Sequence, residues 1–75
     1  MGMYIIAIKR GKEKLANHEW TDLVQRISNV EIINNYRNKR ILISTDEDGV
    51  MQIKNELPPD DFHIESVIDH KRLDS

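Results

Sequence analysis

Side chains able to hold a metal or move a proton are sparse in this 75-residue chain, which has three histidines, thirteen acids and no cysteine. His18, His63 and His70 are spaced so that no two share a helical turn, and a zinc site without thiolates would need Asp or Glu ligands of unspecified geometry. His18 stands four residues before Asp22. On a helix that spacing makes a surface pair worth roughly 0.2 to 0.5 kcal/mol. Phosphate-cradling loops need several glycines together, and the three here are scattered at positions 2, 11 and 49. No catalytic constellation emerges, so a non-enzymatic chain with no metal and no cofactor is expected.

Eleven Lys and Arg against the thirteen acids leave a net charge of −2. That balance disfavours nucleic acid, whose binding is driven by phosphate neutralisation. The charge is uneven along the chain, net +4 over residues 1–43 and net −6 over 44–75. Such asymmetry describes either a dipolar surface suited to a partner or two solvated faces of opposite sign. Lys9, Arg10, Lys12, Lys14, Arg37, Lys39 and Arg40 supply most of the positive half.

These groups must be positioned by one small domain spanning 1–75, because a chain of this size removes only about 63% of its unfolded surface from water. The longest clean apolar stretch, Tyr4 to Ile8, is far short of the ~20 residues that span a bilayer. No basic n-region and apolar h-region open the chain, so a cytoplasmic protein without a membrane segment is expected.

Tyr4-Ile5-Ile6-Ala7-Ile8 is apolar on both parities, the pattern of a central strand. Trp20, Leu23, Val24 and Ile27 form a helical stripe with Asn17 as its cap, and on that stripe Trp20 reads as core. Val30 to Ile33 is a strand, Asn34 to Lys39 a hairpin connection, and Arg40 to Ser44 a second mostly apolar strand. Thr45 is expected to cap a second helix whose first turn carries Asp46, Glu47 and Asp48. Val50, Ile53 and Leu57 give its buried stripe, Gly49 weakens it by about 1 kcal/mol, and Pro58-Pro59 ends it. Phe62 to Ile68 alternates as a last strand, followed by a polar tail over 70–75.

The order strand, helix, strand, strand, helix, strand is that of the α+β, ferredoxin-like βαββαβ sandwich, a four-stranded antiparallel sheet with both helices on one face. Its first and third strands lie in the middle, matching the two segments apolar on both parities. The opposite face is left open and carries Ile5, Ala7, Ile33, Leu42 and Val67. An apolar sheet face without a cover meets a second copy of the chain, a partner domain or a ligand, or stays wet where Glu31, Glu65 and Asp69 dilute it. In this topology the basic residues of the first loop and of the hairpin gather at one end, near Asp60 and Asp61. RNA-recognition modules share the topology but stack bases on aromatic residues of the central strands, where this chain has only Tyr4.

In Tyr4-Ile5-Ile6-Ala7-Ile8-Lys9, Thr45-Asp46-Glu47-Asp48-Gly49-Val50, the Leu57-Pro58 break and the Ile64 to Asp69 strand with its short tail, the chain resembles the subtilisin propeptide and propeptide-like protease inhibitor family. The resemblance implies a protease inhibitor or intramolecular chaperone whose partner is a subtilisin-like serine protease. It implies docking through the open face, where Ala7, Leu42 and Val67 lie. It further implies Asp69 and Glu65 as carboxylates capping helices of the protease, and Arg72, Leu73, Asp74 and Ser75 as a tail in the active-site cleft. The alternative from the residues alone is a small regulatory domain that forms a homodimer or binds a small ligand.

Overall fold

Asn17 and Asp46 set the starts of the two helices in the computed structural model, which describes residues 2–67. Asn17 has an extended backbone, and its side-chain oxygen accepts from the Glu19 amide at 2.9 Å, opening α1 (His18–Arg26). This satisfies one of the amides that a helix start leaves without a partner. A short 3-10 turn, Glu13–Leu15, precedes the cap and brings Leu15 against the core. In α2 (Glu47–Glu56) the cap is Asp46, whose carboxylate accepts from the Gly49 amide at 2.9 Å. This corrects the expectation that Thr45 does so. Thr45 is fully buried on the inward parity of its strand, and its hydroxyl donates to the Asn29 carbonyl at 2.7 Å.

The strands β1 (Gly2–Ile8), β2 (Glu31–Tyr36), β3 (Arg40–Thr45) and β4 (Phe62–Val67) form one antiparallel sheet in the order β2-β3-β1-β4. The fold is the ferredoxin-like βαββαβ arrangement, with β1 and β3 central as their two-sided apolar pattern requires. Ile6, Ile41 and Ile43 face the helices and are fully buried. Against them pack Trp20, Val24 and Ile27 of α1 and its end, Ile53 and Leu57 of α2 and its end, and Phe62. The Trp20 and Phe62 rings lie 5.0 Å apart at 46°, a tilted pair of the favourable kind.

β2 runs further than its aliphatic residues suggest. Asn34, Asn35 and Tyr36 belong to the strand, and the reversal is a three-residue connection, 37–39, built on a turn whose central residues Arg37 and Asn38 have φ of 59° and 60° and which the Lys39 amide closes by donating to the Tyr36 carbonyl at 3.0 Å. Positive φ at both central residues matches the right-handed twist of a hairpin. Asn35 stabilises the turn by accepting from the Asn38 amide at 2.7 Å and donating to the Asn38 side-chain oxygen at 2.9 Å. Trp20 ties α1 to the same turn, its indole N–H donating to the Asn38 carbonyl at 2.8 Å. Between Ile32 and Asn34 the pairing with β3 slips by one residue, leaving Ile33 as a bulge.

Candidate binding face

Side chains alternate across a strand, so the residues opposite the core follow directly from the register. On the side away from the helices, Ile5 sits between Leu42 of β3 and Glu65 of β4, and Leu42 pairs in turn with Asn34. One row along, Met3 lies between Ser44 and Val67; the other way, Ala7 lies between Arg40 and His63. The face is therefore apolar through its centre and along one flank, with charge at its corners. Met3 and Val67 are 36% and 42% exposed, while Ile5, Ala7 and Leu42 are half-buried by their neighbours. Ile33, expected on this face, is 42% exposed but sits in the bulge, outside the regular alternation.

Of the residues expected to contact a partner, the fold thus brings Ala7, Leu42, Glu65 and Val67 onto one surface. Asp69 and the tail residues Arg72, Leu73, Asp74 and Ser75 lie outside the described residues, as does His70. Met3 and Tyr36 join the face without having been anticipated. The odd parity of β1 identifies Met3; Tyr36 required knowing where the hairpin turns. The Arg40 guanidinium lies over the Tyr36 ring, 5.2 Å from its centroid, a cation–π contact at one corner of the face. At the opposite flank the His63 Nε2 is 3.3 Å from a Glu65 carboxylate oxygen. Both groups are more than half exposed, so the Glu65 carboxylate remains accessible to other donors.

The basic loops converge as the topology dictates. The Ile8 amide donates to the Lys39 carbonyl at 3.0 Å, bringing the loop after β1 beside the hairpin. Asp61 meets this end: its carbonyl accepts from the Lys9 amide at 2.9 Å, and its carboxylate pairs with Lys12 at 3.0 Å. His18 pairs with Asp22 at 3.2 Å on the exposed side of α1, a surface contact. Among the described residues no three His, Asp or Glu side chains come together as a metal site, and no helix is long and apolar enough to cross a membrane.

Comparison with protein-family models, curated proteins and solved structures gives no match. The face must therefore be interpreted from its own chemistry.

Proposed function

We propose that this chain is a non-enzymatic binding domain that docks its bare sheet face on a subtilisin-like serine protease, acting as an inhibitor or as a folding chaperone of that enzyme. The observation that carries the reading is the in-register apolar strip Leu42, Ile5, Met3 and Val67, on the side of the sheet that neither helix covers. The partner class comes from the likeness to subtilisin propeptides in the strand, helix-start and tail motifs.

Physical scale supports a role for more than the face. Four strands about 4.8 Å apart and roughly six residues long at ~3.3 Å each present a projected area of about 380 Å². A stable complex buries about 800 Å² per partner. The face supplies the apolar centre, and the remainder falls to the acidic flank and the tail. Glu65, and by the same likeness Asp69, offer carboxylates to helix N-termini of the protease, where unpaired amides attract anions. Arg72, Leu73, Asp74 and Ser75 enter the cleft and block it.

The test is to titrate the purified chain into a panel of subtilisin-type proteases and follow peptide hydrolysis. The reading expects inhibition at micromolar concentration, weakened when residues 70–75 are deleted. Absence of inhibition across the panel overturns it. Light scattering on the free chain provides a second check, because a stable dimer closed over Leu42 and Ile5 leaves no surface for the enzyme.

A further inference from the structure

The two edges of the sheet are built differently. β2 is interrupted by the Ile33 bulge and ends in a strained turn, devices that discourage another strand from pairing there. β4 has neither a bulge nor a proline, and its register with β1 is unbroken from Phe62 to Val67. The Lys9 amide donates to the Asp61 carbonyl, making that pair a hydrogen-bonded one. Alternation along an antiparallel ladder then turns the backbone groups of His63, Glu65 and Val67 towards β1. The N–H and C=O groups of Ile64 and Ser66 consequently point to the outer edge, which no strand among the described residues pairs. The Phe62 amide is already used, donating to the Pro58 carbonyl at 3.1 Å.

Beside this edge runs a groove of about 420 Å³, with Leu57, Pro59, Phe62 and Ile64 as its apolar wall and Lys9, Lys54 and His63 as its polar rim, the two lysines carrying its positive charge. Among the described residues no carboxylate lines it and neither lysine is in an ion pair, the nearest acid being Glu65, 3.3 Å from the His63 Nε2. The two chemistries fall on opposite sides of the edge. Leu57, Phe62 and Ile64 belong to the side of the helices, whereas His63 has the other parity of β4 and Lys9 follows directly on the end of β1.

We propose that the β4 edge receives an extended segment of a partner protein as a fifth strand, with aliphatic side chains entering the groove and an acidic side chain meeting Lys9. Backbone pairing supplies the attachment, and the alternation of aliphatic and acidic positions supplies the selectivity, as in strand addition generally. This surface adjoins the bare face and shares His63 with it, so the two sites are told apart by which signals move, Ile64 and Ser66 for the edge, Leu42 and Ile5 for the face.

The probe is acetyl-Val-Glu-Val-Thr-Val-amide, titrated into the full ¹⁵N-labelled chain. The amides of Ile64 and Ser66 are expected to shift and gain protection from solvent exchange, with saturation below about 1 mM. Replacing the probe's glutamate by lysine weakens binding at least tenfold, as does Lys9→Glu. Ser66→Pro removes an outward amide without touching the ladder to β1 and abolishes the protection at Ile64. If that variant fails to fold, the charge reversal at the exposed Lys9 still decides. No saturable binding, equal binding of the lysine probe, or shifts centred on β2 or on Leu42 and Ile5 would each overturn the proposal.

Discussion

Gly49 packs against Thr45 so closely that a methyl group on Gly49 would overlap the Thr45 hydroxyl and meet its Cβ at 3.1 Å. Helix propensity alone makes Gly49→Ala stabilising by about 1 kcal/mol. The fold reverses the sign, because Thr45 is fully buried and its hydroxyl is held by the Asn29 carbonyl. Overpacking of this kind costs about 1 to 3 kcal/mol, so Gly49→Ala lowers the urea midpoint. The same change in a Thr45→Ala background is less harmful, and a double-mutant cycle measures the coupling.

Trp20 joins three parts of the molecule: α1, the Phe62 ring of β4 and the hairpin carbonyl of Asn38. Trp20→Phe keeps an aromatic ring but deletes the indole donor, and is expected to cost about 1 to 2 kcal/mol by far-ultraviolet circular dichroism during urea unfolding. An unchanged midpoint contradicts the proposed tie between α1 and the hairpin.

Arg37 holds a left-handed backbone, φ 59°, with its side chain exposed. A non-glycine residue there carries a cost of about 1 to 2 kcal/mol, partly offset by the greater freedom glycine has when unfolded. Arg37→Gly is therefore expected to raise stability by up to about 1 kcal/mol, whereas Arg37→Val, β-branched at positive φ, lowers it. Thermal unfolding of the two variants checks both signs.

The topology was legible because β1 and β3 are apolar on both parities while the edges are not, and the open face followed from parity in Ala7, Leu42 and Val67. The helix cap at Asp46 was not, since Thr45 and Asp46 are both good caps and only burial of Thr45 in the sheet decides between them. The hairpin was misplaced because Asn34 and Asn35 suggest a turn, yet pairing with Leu42 and Ile41 keeps them in the strand. The groove beside β4 gathers Lys9, Lys54, Leu57 and Ile64 from separate elements, and no local spacing announces it.

The most direct measurement of the central claim is methyl NMR of the chain on adding a subtilisin-type protease whose catalytic serine has been blocked. Docking through the bare side of the sheet predicts that the methyl signals of Ile5, Leu42 and Val67 shift or broaden while those of Ile53 and the exposed Met51 on α2 stay in place. Signals of Met51 moving while Ile5 and Leu42 do not, or no change at any methyl at equimolar enzyme, would contradict it.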